Sequence, residues 1–405
     1  VKALDDWIDA HFDEQVAFLQ RLVQCPTDTP PGNNAPHAEL TAKLLTQMGL
    51  AVEQHAVPFE AVQAQGMESI TNLLVRQRFG AGPTIALNAH GDVVPPGEAW
   101  TQDPYGGAVV DGKLYGRAAA VSKSDFATYT FALRALQSLQ TPLKGAVELH
   151  FTYDEEFGGE LGPGWLLRQG LTKPDFLIAA GFSYQLVNAH NGCLQIEVTL
   201  TGKSSHAAYP HTGIDALQAA VDLLQALYRH NSALKLIKSE VPGIDHPYLN
   251  VGRIEGGTNT NVVPGKVVMK MDRRMIPEED AAVVEHELRH FIETHLRTHH
   301  PKVQLSIRRL LLAHSLQANP KSAPLLQALQ EAAQVVMQEP LPVVGTPLYT
   351  DVRLYGEHGV PAVIYGAGPR TVLESNAKRA DEHLVLDDLR KATKVVARAL
   401  AQLLT

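Results

Sequence analysis

The residues best placed to do chemistry in this chain sit just after short apolar runs. His90-Gly91-Asp92 follows the run 84–88. A carboxylate two residues from an imidazole can fix its tautomer, which suits a metal site. Glu155 and Glu156 follow the run 146–152. Adjacent side chains point different ways, so one can bind while the other moves a proton. Gly366 and Gly368 follow 361–365, and glycine lets backbone approach a ligand closely. Each pattern alone has an ordinary explanation, such as a packed histidine or a solvated acidic loop. Their joint occurrence at strand ends is what points to a site, because open α/β sheets bind ligands beyond the carboxyl ends of their strands.

The elements that must hold these residues can be read from periodicity. Apolar residues at helical spacing predict helices over 5–24, 37–50 and 124–139, with strands at 84–88 and 146–152. Helices between short apolar strands imply an α/β domain with a mainly parallel sheet. The middle of the chain differs. Strand patterns at 194–200, 248–254, 266–271 and 303–310 interleave with helical patterns at 213–230 and 278–297. That order is the split βαβ, or ferredoxin-like βαββαβ, module. The first style returns with a strand at 361–365 and a helix at 385–404. The expected organisation is an α/β domain over 1–194 and 313–405, with an inserted lid module over 195–312.

Composition narrows the function classes. The chain has 405 residues, 45% of them hydrophobic and 19% charged, with a formal net charge of -8. That is enough apolar material for a sizeable core and excludes a disordered chain. No Lys/Arg stripe marks a nucleic-acid or anionic-membrane partner. Two cysteines, Cys25 and Cys193, cannot make a disulfide framework or a Cys-based zinc finger. Charges interrupt the first 25 residues, so they read as an amphipathic helix rather than a signal peptide. No apolar run is long enough to span a membrane. A cytoplasmic location is expected.

Longer motifs resemble the M20 metallopeptidases, the two-zinc amidohydrolases that include acetylornithine deacetylase, succinyl-diaminopimelate desuccinylase and glutamate carboxypeptidase. They are Leu87-Asn88-Ala89-His90-Gly91-Asp92-Val93-Val94-Pro95, Asp111-Gly112-Lys113-Leu114-Tyr115-Gly116-Arg117, and Asp154-Glu155-Glu156. Thr201-Gly202-Lys203-Ser204-Ser205-His206-Ala207, Gly256-Gly257-Thr258-Asn259-Thr260-Asn261, and Asp272-Arg273-Arg274 continue the pattern. The resemblance covers essentially the whole chain, inserted module included.

That resemblance implies roles. His90 and Glu156 fall on metal ligands, Asp92 on the residue that orients the histidine, and Glu155 on the general base. His206 falls on a lid histidine that polarises the scissile carbonyl, often in the neighbouring subunit. Asn261, Arg274 and the Gly366 loop fall on substrate-binding positions. A guanidinium fork on Arg274 suits a substrate carboxylate. The implied partners are a carboxylate-bearing small molecule and a second copy of the chain, with neither nucleic acid nor membrane.

Three positions depart from the family pattern. Val121 stands where an aspartate bridges the two metals, Gly181 where an acidic ligand stands, and Lys378 where a histidine ligand stands. A catalytic zinc normally keeps three protein ligands. Zinc is therefore implied by resemblance, yet the usual two-metal site is expected not to form, leaving one metal or none. Two substitutes are open: Asp125, one helical turn after Val121, as a displaced ligand, and the Lys378 ammonium, pairing with Glu156 and joining the substrate-binding set. The leading expectation is hydrolysis of an amide in an N-acyl amino acid or small peptide. The alternatives are a metal-free member that binds a carboxylate-bearing molecule or does non-hydrolytic acid-base chemistry, and an inactive or purely binding dimer.

Overall fold

A computed structural model describes residues 2–405. The chain divides into two compact units. One comprises the chain through Asn188 together with Ala318–Val344 and Thr350–Thr405; the other comprises Ala189–Gln317 with Gly345–Tyr349. The short Gly345–Tyr349 return to the second unit has no counterpart in the range read from sequence.

The first unit is built on an eight-stranded sheet. Its order is Val52–Ala56, Thr71–Arg78, Ala146–Thr152, Thr84–His90, Phe176–Ala179, Ala362–Ile364, Leu186–His190 and Val343–Thr346. The four central strands are parallel, from Ala146–Thr152 to Ala362–Ile364. Those strands are almost wholly buried, as their unbroken apolar runs require of a sheet covered on both faces. Antiparallel strands flank them.

Helix Lys123–Gln137 packs across this sheet and is buried on nearly every side, because other helices cover its outer face. Phe126, Tyr129, Phe131, Leu133 and Leu136 are its large apolar groups. Burying each contributes roughly 1.5–3 kcal/mol. The helix is tied to strand ends at two points. Ser122 Oγ donates to His90 O at 2.7 Å and accepts from His90 N at 3.0 Å. Tyr129 Oη donates to Tyr365 O at 2.7 Å. The helix expected over 5–24 is two helices, Lys2–Ala10 and Phe12–Val23. The break falls at His11, whose ring Nδ1 and backbone N–H share Trp7 O, at 2.7 and 3.1 Å.

The second unit is the ferredoxin-like module. Strands Gly192–Thr201, Tyr248–Gly256, Lys266–Met275 and Gln304–Ala313 alternate with helices Ala216–Leu234 and Ala281–His299. The sheet is antiparallel, with Lys266–Met275 and Gly192–Thr201 central. Both central strands alternate buried and more exposed residues, the period expected when one face packs on helices. Each helix starts at an aspartate cap, Asp215 and Asp280, whose side chains accept helix N–H groups. Such a cap contributes about 1 kcal/mol. Among the described residues no helix is long and apolar enough to cross a membrane.

Candidate functional site

Two parallel strands deliver the first cluster. His90 and Thr152 end neighbouring strands in register, so the segments after them emerge side by side. Asp92 then receives the backbone of the next loop. Its Oδ1 accepts from Glu155 N at 3.2 Å and its Oδ2 from Glu156 N at 2.9 Å. The loop is a single 3-10 turn, Glu155–Phe157, closed by Gly158 at φ 103°. His90 Nδ1 lies 3.0 Å from Asp92 O and 3.3 Å from Asp92 Oδ1. A carbonyl oxygen only accepts, so Nδ1 carries a proton and Nε2 faces the site. His90 Nε2 is 3.7 Å from Glu155 Oε2.

Each of these charges bears on its neighbour's protonation. Burial works against a charged His90, but the carboxylates of Glu155, Asp92 and Glu156 outweigh it and drive the imidazole upward. Burial also pushes Glu155 up, with His90 restraining it and Glu156 adding to it.

Lys378 joins this cluster from far along the chain. Its Nζ donates to Glu156 Oε2 at 2.8 Å. The Glu156 side chain is 11% exposed and that of Lys378 49%, so one end of the pair is sunk and the other reaches solvent. Burial lowers Lys378, but Glu156 and Glu155 more than offset it, and the group stays an ammonium. The backbone is left-handed at Lys378 (φ 61°), Asn376 (φ 52°) and Asp381 (φ 55°). Side-chain ties hold it there. Asp381 accepts from Thr101 N at 2.9 Å and Gln102 N at 3.0 Å. Glu382 Oε2 accepts from Ala118 N at 2.6 Å and from buried Arg117 Nη1 at 3.2 Å.

Asp125 does a different job. It is buried in the first turn of its helix, where its Oδ1 accepts from Ala367 N at 2.7 Å and its Oδ2 from Gly181 N at 3.2 Å. It thus clamps the ends of two neighbouring strands, and both oxygens are engaged. Gly366 belongs to the same clamp. A Cβ there would lie 2.2 Å from Asp125 Oδ2, so only glycine lets the carboxylate reach the loop.

Sequence reasoning missed Asp351. It is buried, with Oδ2 lacking any hydrogen-bond partner. Burial raises its carboxyl, His90 lowers it and Asp92 raises it further, which places it within electrostatic reach of the cluster. The signal available was an acid just ahead of a short helix, Val352–Glu357, a pattern shared with many plain helix starts. Lys123 was also missed. It is buried, donates to Cys25 O at 2.9 Å, and is lowered to about 8 by burial.

In the second unit, His206 and Asn261 are neighbours on paired segments. Ala207 N donates to Asn261 O at 2.9 Å, and His206 Nδ1 accepts from Ala208 N at 3.0 Å. Both residues are exposed. Arg274 lies apart from them on strand Lys266–Met275. Its Nε donates to Asp272 Oδ1 at 2.7 Å, and its guanidinium sits 5.2 Å from the Tyr349 ring centroid.

Residues 86–402 match the model of peptidase family M20/M25/M40. The chain is 31% identical over 310 residues to a succinyl-diaminopimelate desuccinylase of Gluconobacter oxydans strain 621H, covering 73% of this chain and 75% of that one. It is 28% identical over 390 residues to an acetylornithine deacetylase of Myxococcus xanthus, covering 95% and 96%. A solved Bacillus subtilis structure, described as a dinuclear metal binding peptidase of the M20 family, superposes with a TM-score of 0.70. It is 18% identical and covers 98% of this chain and 99% of that one.

The residues present do not fit a two-ion centre. Val121 and Gly181 bring no side-chain donor, and a Cβ at Gly181 would stand 2.3 Å from Ile364 Cγ2. Lys378 brings a cation already bonded to Glu156. Among the described residues, no three or more His, Cys, Asp or Glu side chains are grouped to hold a metal ion.

Proposed function

Because this chain belongs to the peptidase family M20/M25/M40, we propose that it hydrolyses an amide bond in an N-acyl amino acid or small peptide bearing a free carboxylate. The observation that carries this reading is the grip of Asp92 on both Glu155 N and Glu156 N, with His90 Nε2 3.7 Å from Glu155 Oε2. It fixes a carboxyl group beside an imidazole, ready to take a proton from an attacking water. The resemblance assigns the carbonyl to His206, the substrate carboxylate to Arg274 and further substrate contacts to Asn261.

The test is release of free amine from N-acetyl, N-succinyl and N-carbamoyl amino acids and from dipeptides, followed by liquid chromatography. Glu155→Gln should lower the rate roughly 10²–10⁴-fold, the usual contribution of a positioned acid-base group. Equal rates in both proteins would remove the reading.

The assembly proposed is a homodimer. Leu217, Val221 and Tyr228 recur along helix Ala216–Leu234 and are 40%, 48% and 54% exposed. Light scattering on the purified chain should give twice the monomer mass; a monomer would end that proposal.

One observation favours a second reading. The Lys378–Glu156 bond puts a positive charge on the Glu156 carboxylate without a metal. On this reading the chain is a metal-free member that binds a carboxylate-bearing molecule or does non-hydrolytic acid-base chemistry. Turnover lost to a chelator and restored by zinc would exclude it.

A further inference from the structure

The places where resemblance expects metal-binding side chains are tied up by bonds within the chain. At Glu156, the carboxylate oxygen Oε2 holds the Lys378 ammonium at 2.8 Å. At Gly181, the backbone N–H donates to Asp125, and Asp125 spends its other oxygen on Ala367 N. Val121, four residues before Asp125, adds an apolar side chain where the resemblance expects a carboxylate. We propose that Lys378 is a tethered cation standing in for a divalent ion, and that the centre of His90, Glu155 and Glu156 excludes divalent metals. This deepens the second reading above and rests on it.

Several observations support the exchange. A non-glycine residue at φ 61° needs surrounding structure to hold it in a conformation most side chains avoid. The ties of Asp381 to Thr101–Gln102 and of Glu382 to Arg117–Ala118, with Arg117 also donating to Arg379 O at 3.2 Å, hold the loop just after Lys378. Lys378 therefore reaches Glu156 from a braced loop, not as a mobile surface chain. The other Glu156 oxygen, Oε1, is buried without a hydrogen-bond partner, so what a dication approaching it meets is the like charge of the ammonium on Oε2. Nor is there a donor set to reward it, since zinc normally keeps three protein ligands and no such group is assembled among the described residues. An ammonium has three N–H groups. One is on Glu156, and the half-exposed side chain leaves the others for a carboxylate or carbonyl oxygen of a bound molecule.

The test uses Co²⁺ alone as the probe, read by equilibrium dialysis and by its visible absorption bands. The wild-type chain should take up no Co²⁺ that depends on Glu156. Val121→Asp/Lys378→His removes the ammonium and supplies a carboxylate and an imidazole, and should bind about one equivalent per chain. Circular dichroism checks that the variant is folded. If that variant does not fold, Val121→Glu/Lys378→His carries the test, since it supplies the same three donors with Glu156 and histidine tolerates the left-handed region better than most residues. One equivalent bound by the wild type and lost in Glu156→Gln would overturn the proposal. Failure of the folded variants to gain Co²⁺ would also overturn it, because Lys378 would then not be what keeps metal out. Metal that survives Glu156→Gln but is lost in His90→Ala would overturn it as well, whereas metal that survives both substitutions lies outside this centre and supports the exclusion. No substrate is needed, so the result is independent of whether an amide is ever found to be cleaved.

Discussion

Removing the Asp125 carboxylate should loosen two strand ends at once. Asp125 holds Ala367 N at 2.7 Å and Gly181 N at 3.2 Å in a buried setting. Burial pushes this carboxyl up to about 7, so the unfolding is measured well above that pH, where the group is ionised and each hydrogen bond to it contributes about 1.5–3 kcal/mol. Asp125→Ala should therefore cost roughly 3–5 kcal/mol, allowing for some water entry into the space left behind. Asp125→Asn keeps one acceptor oxygen and should cost about half as much. Gly366→Ala attacks the same clamp from the other side, because its Cβ would lie 2.2 Å from Asp125 Oδ2. The double variant Asp125→Ala/Gly366→Ala should cost clearly less than the sum of the singles, since each relieves what the other obstructs. Urea unfolding followed by tryptophan fluorescence suits the question. All three tryptophans, Trp7, Trp100 and Trp165, belong to the same unit as Asp125. A loss under about 1 kcal/mol for Asp125→Ala, or strict additivity in the cycle, would refute the clamp.

Three further outcomes follow from particular contacts. Burial acts to raise Glu148, but hydrogen bonding to His150 and Thr172 and the charge of Arg76 hold it down at about 2. A folded value below the unfolded one means stability present above about pH 4 and lost as pH falls toward 2. The loss should be on the order of 3 kcal/mol in the wild type and absent in Glu148→Gln, as read from acid denaturation curves. Glu382→Ala leaves the buried Arg117 guanidinium without its carboxylate and should cost about 3–5 kcal/mol, a loss that a normal unfolding midpoint would rule out. If Arg274 holds a substrate carboxylate, Arg274→Lys should raise KM about tenfold with a smaller effect on kcat, because lysine cannot make the two-bond fork. An unchanged KM would assign Arg274 to its Asp272 contact alone.

Much of the fold was legible because its signals are local. The buried run at 146–152 is a central strand. The alternating runs of the middle third form the ferredoxin-like module, and Gly49 at φ 86° ends the helix Ala35–Gln47 as a left-handed stop should. Capping aspartates at Asp215 and Asp280 mark helix starts in plain sight. The break at His11 was not legible, since a helical apolar stripe runs through it from one helix into the next.

By itself the sequence determined which segments become strands and helices, and that His90, Asp92, Glu155 and Glu156 stand at strand ends. Apolar periodicity and turn chemistry act over a few residues, and a short chain segment carries them whole. It also determined which side chains lack metal donors, since Val121, Gly181 and Lys378 are matters of identity. Only the tertiary structure decided what those side chains do. Lys378 meets Glu156 across 222 residues, and Asp125 meets Ala367 across 242. Asp351 enters the same electrostatic neighbourhood from a third segment. Such contacts depend on how the sheet orders its strands and how a braced loop aims one ammonium. No local preference encodes either, because both arise from packing the whole unit at once.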